Sequence, residues 1–143
     1  MHTKFLYDFH WYIALLLAVL FWILYGFFVS PLHFTNVFDQ LNVFLLSVVL
    51  YPILEEIVFR GVVQDFLSRK SALTQNFIGL SLANAATSIL FALSHLLNQE
   101  PLWALLTFFP SLVFGYFKDR HQSLFPCILL HIFYNLGFFV FIV

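Results

Sequence analysis

Apolar residues gather in five blocks along the chain, at 9–29, 40–67, 76–97, 102–117 and 123–143, separated by short polar connections. The blocks approach the roughly 20 residues that a helix needs to cross the hydrocarbon core of a bilayer. Backbone in lipid must satisfy its own hydrogen bonds, and apolar runs this long and continuous fit helices rather than the alternating strands of a barrel. The pattern therefore predicts an all-α fold, a polytopic transmembrane helical bundle of about five spans, built as one domain over residues 1–143. The first, fourth and fifth blocks contain no Asp, Glu, Lys or Arg. The uncharged run Trp11 to Val29 is too long for a signal-peptide core, and Ser30-Pro31-Leu32-His33 offers no small-x-small cleavage site. It reads as a retained membrane helix.

The connections sort by charge. With five spans, one side of the membrane receives Lys4, Arg69, Lys70, Lys118 and Arg120, and the other receives only Asp39 and Glu100. Basic loops stay cytoplasmic, so the N-terminus is expected inside and the C-terminus outside a cell membrane.

Composition strengthens this picture. The chain is 62% hydrophobic and 9% charged, with 21 phenylalanines, against roughly 45–50% and 25% for soluble proteins. A net charge of -1 gives no reason to invoke nucleic acid, and the single Cys127 excludes an internal disulfide. The partner that composition implies is the lipid bilayer.

Candidate chemistry interrupts the second block, at Glu55-Glu56-Ile57-Val58-Phe59-Arg60-Gly61. Ionisable groups at such depth are by default a functional hypothesis. Neighbouring residues on a helix point about 100° apart, so Glu55 and Glu56 take different faces. Glu56 and Arg60, four apart with the acid first, are spaced for an intrahelical ion pair. Glu55 must then face something polar on another helix or be protonated. Pro52, three residues earlier, removes one helix hydrogen bond, which leaves a carbonyl free and predicts a kink that shapes the site; Pro110 reads as a simple bend.

Two other blocks offer polar faces. Asn84, Ser88, Phe91 and His95 follow a helical stripe on the third, and Cys127, His131 and Asn135 recur every four residues on the fifth. These faces are expected to converge with the glutamate helix on a small wet cavity. There a glutamate beside a histidine can take a proton from water, while His and Asn donors stabilise a developing oxyanion. The expected reaction is hydrolysis of an acyl bond, of the peptide class. Cys127 reads as a small hydrophobe, Ser88 and Ser94 as binding their own helix backbone, and His2, His10, His33 and His121 as solvated or interfacial.

With these residues in view, the chain resembles the CAAX-protease and bacteriocin-processing (CPBP, Abi) family of intramembrane glutamic-type endopeptidases. Glu55-Glu56-x-x-x-Arg60, Phe91-x-x-x-His95 and His131-x-x-x-Asn135 match its three motifs in order, with Phe59, Gly61, Gly115 and Ser123-Leu124 in support. The resemblance implies that Glu55 and His95 activate water, that His131 and Asn135 form the oxyanion hole, and that Glu56 and Arg60 are supporting. Family members are described as either metal-dependent or glutamic, and the glutamic reading, with no cofactor, is the one expected here. Glu55, His95 and His131 form the set that zinc would use were the enzyme metal-dependent, but there is no His-Glu-x-x-His helix. Prenyl-processing members carry more helices, which points this chain toward trimming the membrane tail or leader of a partner. The rival readings are a non-catalytic immunity or maturation factor and a small proton-coupled transporter, although no inverted repeat supports the latter.

One expectation carries a tension. A straight third helix starting at Asn76 would put His95 about 13 Å from mid-depth. Either that helix starts later, or the site lies in the outer half of the membrane; the reading favours the second.

Overall fold

The computed structural model describes residues 4–29 and 35–142, so His2, His33 and the Ser30-Pro31-Leu32-His33 connection lie outside the described residues. Helix dominates. We number α1 (Phe9–Phe28), α2 (Val37–Ser68), a two-stranded hairpin of β1 (Asn76–Phe77) and β2 (Leu80–Ser81), α3 (Leu82–His95), α4 (Pro101–Leu106), α5 (Phe108–His121) and α6 (Phe125–Phe141). The fold is all-α apart from that hairpin, and α1 and α2 are each long and apolar enough to cross a bilayer.

The chain divides into two compact units, Met1–Leu54 with Ile128–Val143 and Glu55–Cys127. In the first, Asp8 caps α1 by accepting a hydrogen bond from the His10 N–H at 3.1 Å, satisfying one of the donors that a helix start leaves open. One stripe of α1 is buried, Trp11, Ala14, Ala18 and Trp22, at the spacing of a single helical face. The opposite faces stay exposed through Leu16, Leu20, Ile23 and Phe27, as suits a helix whose solvent is lipid. The buried stripe meets α6. Tyr134 donates its hydroxyl to the Ala14 carbonyl at 2.9 Å, and Trp22 packs on Phe133 and Phe141 with ring centres 5.2 and 5.8 Å away. Gly137 makes the approach possible, because a Cβ there would overlap the Trp22 indole.

In the second unit the latter half of α2 packs with α3 and α5 around a core that is polar rather than apolar. Contacts between Gln64, Asp119 and Ser81 join one end of these helices. Phe59 and Arg60 meet Phe91 further along. Residue numbers thus rise along α2 as they fall along α3, and the two run antiparallel.

Two expected boundaries are corrected. The third block was expected to be helical from 76, but Asn76–Ser81 forms the hairpin, with register Asn76 to Ser81 and Phe77 to Leu80. Ser81 then caps α3, its Oγ accepting from the Asn84 N–H at 3.0 Å. The helix does start later than Asn76, though His95 remains its last residue. The fourth block was expected to end at 117 with Lys118–Gln122 as a loop. Instead it breaks at Thr107 into α4 and α5, and α5 runs on to His121. The break falls just ahead of Pro110, which sits in the first turn of α5 where its missing N–H costs nothing. The charged end stays helical because Lys118 pairs with Asp65, and Asp119 accepts from Gln64 and Ser81.

The close approach at Gly137 has a measurable consequence. Gly137→Ala gains about 1 kcal/mol of helix propensity, but it forces a rigid indole aside, an overpacking cost of about 1–3 kcal/mol. The variant is expected to show a lower thermal midpoint in detergent, recovered in part by Trp22→Leu. An unchanged midpoint in the single variant would show that the interface has slack.

Candidate active site

The site residues are best built outward from α2, whose winding is not uniform. Leu45–Leu50 and Ile57–Gln64 are wound as π-helix, and the stretch Tyr51–Glu56 between them is α-helix. Glu55 and Glu56 therefore stand at the junction where α winding gives way to π. Such interruptions recur at functional sites.

Glu56 is fully buried, and the Arg60 guanidinium is buried beside it, with Nη1 3.2 Å from Glu56 Oε1. The expected pair is present. Arg60 also donates from Nη2 to the Ser111 carbonyl at 2.9 Å and to Ser111 Oγ at 2.6 Å. The Phe91 and Phe114 rings lie 4.8 and 5.5 Å from the guanidinium carbon, within range of a cation–π contact. A buried pair breaks even only when hydrogen bonds support it; Ser111 supplies two of them, both to Nη2, while Nε donates to no hydrogen-bond acceptor among the described residues.

The same face of α2 continues one turn on with Gln64, also fully buried. Its amide donates to the Gly115 carbonyl at 3.1 Å and to Asp119 Oδ1 at 2.8 Å. Glu56, Arg60 and Gln64 on α2 thus face Ser111, Gly115 and Asp119 on α5, both sets spaced by four. From α3, Asn84 donates to the Leu112 carbonyl at 2.9 Å, and Ser88 donates to Asn84 Oδ1 at 3.2 Å. Gly115 has no Cβ because Asn84 Oδ1 occupies that place, with Gln64 Oε1 2.8 Å away. Asn84, expected to line a wet cavity, binds α3 to α5 here, and Ser88 supports it by donating to the Asn84 side chain, not to its own helix backbone as expected. Gln64, Ser111 and Asp119 were not singled out by the sequence reading, although their four-residue spacing from Arg60 and Gly115 was a signal.

Glu55 is half-buried and takes a different face from Glu56, as the helical angle required. His95 ends α3, its Nδ1 2.9 Å from the Phe91 carbonyl and its ring 4.4 Å from the Phe91 ring. A carbonyl can only accept, so Nδ1 is the donor in this bond and Nε2 is the ring nitrogen left to face other partners. Glu55 lies five residues before Arg60, and His95 four after Phe91, on antiparallel helices. Both therefore sit about 6–8 Å beyond the Arg60–Phe91 contact, at one end of the second unit.

His131 and Asn135 belong to α6 in the first unit, where His131 is buried. Asn135 donates from Nδ2 to the Ser47 carbonyl at 2.9 Å. The π winding explains why that carbonyl needs a donor. The Tyr51 N–H reaches back five residues to the Leu46 carbonyl, and the next residue would bond Ser47 in the same register. That residue is Pro52, which has no N–H. Asn135 fills the vacancy, leaving its second amide N–H for another acceptor. Cys127 is buried and makes a long contact, 3.6 Å, to the Ser123 carbonyl. Within neither unit do three His, Cys, Asp or Glu side chains gather as metal ligands among the described residues.

Two predictions follow from these contacts. Arg60→Ala strands Glu56 in the core and is expected to cost about 3–5 kcal/mol, read as a large drop in thermal midpoint. Combining it with Glu56→Ala should lose less than the single change; an equal or greater loss would show that the pair is not the unit. Asn135→Ala should cost about 1 kcal/mol with Pro52 present and little in Pro52→Ala, whose restored N–H can bond Ser47. Additive losses would break the link between the two positions.

A family model described as type II CAAX prenyl endopeptidase, Rce1-like, matches residues 37–137, well over half of the chain. Nothing among the curated proteins or the solved structures matches it. The matched stretch opens at the first residue of α2 and includes Glu55, Glu56, Arg60, His95, His131 and Asn135.

Proposed function

This chain belongs to the Rce1-like family of type II CAAX prenyl endopeptidases, and from that premise we propose that it hydrolyses a peptide bond of a membrane-anchored protein through a glutamate-activated water. It is a membrane protein by family and by the length and apolarity of α1 and α2. The full reading has five crossings, a cytoplasmic N-terminus and a membrane tail or leader as substrate.

Glu55 takes the proton of the attacking water. His95 Nε2, the ring nitrogen not engaged by the Phe91 carbonyl, accepts a hydrogen bond from the same water and orients it. Attack on the scissile carbonyl places negative charge on its oxygen, and His131 and the second N–H of Asn135 donate to that oxyanion. The proton held by Glu55 then passes to the leaving amine as the tetrahedral intermediate collapses. Glu56 and Arg60 do not touch the substrate in this scheme; they fix the rotation of α2 that presents Glu55. The reaction is written without a metal, since its four groups supply a base, a water-orienting acceptor and two oxyanion donors.

The observation that supports this reading above others is the division between the adjacent glutamates. Glu56 is committed to Arg60 in the buried core, whereas Glu55 takes the half-buried face at the same end of the unit as His95. A structural role alone needs only one of the two.

The test is cleavage of a membrane-anchored candidate substrate by purified protein in liposomes. Glu55→Gln is expected to lower kcat by about 10²–10⁴-fold with its thermal midpoint nearly unchanged, and wild type should be insensitive to chelators. Full activity of Glu55→Gln would sink the proposal. Activity lost to a chelator and restored by zinc would replace the glutamic mechanism with a metal one.

A further inference from the structure

The β1–β2 hairpin presents its apolar tip outward. Phe77 and Ile78 are 74% and 85% exposed, yet the hairpin itself is firmly held. The Leu82 N–H donates to the Gln75 carbonyl at 3.0 Å, Ser81 Oγ donates to Asp119 Oδ2 at 2.7 Å, and Gly79 lies against the Tyr116 ring of α5. The two turn residues, Ile78 and Gly79, have φ of 52° and 81°. Both are left-handed, the requirement of a type I′ turn, where Asn-Gly is the favoured pair. A β-branched residue at the first of these positions is a true outlier. An apolar side chain is thus kept, fully outward, at a position whose backbone disfavours it.

The surroundings carry charge. Arg69 and Lys70 are exposed just before the hairpin, and exposed Arg120 stacks over Tyr116 behind it. Apolar tips flanked by cations are the composition of a segment lying in the headgroup layer of an anionic leaflet. We propose that the Phe77-Ile78 tip is a membrane-interface anchor, inserted among anionic lipid headgroups and held there by Arg69, Lys70 and Arg120.

The anchor sets the depth of the residues behind it. Glu55 lies 13 residues before the end of α2 at Ser68 and His95 lies 13 residues after the start of α3 at Leu82, so each is about 20 Å from the anchored end. In a hydrocarbon core about 30 Å thick, both fall beyond mid-depth, in the half away from the hairpin. The proposal rests on membrane residence alone and not on the catalytic reading.

The experiment uses the full chain in a Cys127→Ser background, with a single nitroxide-labelled cysteine at 77 or 78, reconstituted in phosphatidylcholine vesicles with and without phosphatidylglycerol. Collision rates with oxygen and with a water-soluble nickel complex report depth. The expected result is oxygen contact exceeding nickel contact at both positions, with the excess falling when phosphatidylglycerol is omitted or when Arg69→Gln and Lys70→Gln are introduced. A label at 99, in place of the exposed Gln99, should behave as in water. Nickel contact exceeding oxygen contact at 77 and 78 in both lipids would overturn the anchor. Shielding from both reagents, the signature of a protein partner, would overturn it as well. As a second variant, Ile78→Asn suits the turn better, so its thermal midpoint in detergent should hold or rise while the label at 77 moves toward water; a label that stays deep would show that Ile78 is not the anchoring group.

Discussion

The second unit depends on one buried guanidinium. Arg60 is fully enclosed, and a charge in that position is tolerable only if every neighbour serves it. Glu56 neutralises it from one turn below, Ser111 accepts twice from α5, and Phe91 and Phe114 present ring faces. These partners come from three helices, so α2, α3 and α5 have one arrangement in which all of them reach. Apolar side chains could slide past one another by a fraction of a turn at small cost. The guanidinium contacts cannot, because each slip would leave a buried donor without its acceptor. Charge here sets position more than it adds stability.

The rotation of α2 about its own axis is fixed by the same contacts. Because Glu56 must point at Arg60, Glu55 must point about 100° away, and the two adjacent carboxylates receive unlike surroundings from identical chemistry. Further along, Gln64 and Asp119 repeat the arrangement with a neutral amide in place of the guanidinium, and Gly115 supplies the room that Asn84 needs. The polar ladder ends at Ser81, which also starts α3. One carboxylate, Asp119, therefore links the end of one helix to the beginning of another.

Much of this could be read from the residues alone, and the exceptions have physical reasons. The helices were legible because long apolar runs in lipid leave the backbone few alternatives, and the Glu56–Arg60 pair because its partners are local. The hairpin was not, since Asn76–Ser81 is nearly as apolar as the helix that follows and Ile78 disguises a turn that Asn would have announced. The helical course of Lys118 and Asp119 was missed for the opposite reason. Charged residues read as loop unless their partners are known, and these lie 53, 55 and 38 positions away, at Asp65, Gln64 and Ser81. Asn135 was expected from its spacing, but its bond to Ser47 could not be foreseen, because it depends on the π register that decides which carbonyl Pro52 abandons.

That bond gives α2 a property no uninterrupted helix has. A backbone N–H cannot leave its carbonyl without unwinding the turn around it. The donor at Ser47 is a side-chain amide from another helix, so this carbonyl is satisfied by a tertiary contact and not by the helix's own backbone. The turn just ahead of the glutamates is thus completed from α6, and the winding of α2 there depends on a residue 88 positions away in the chain.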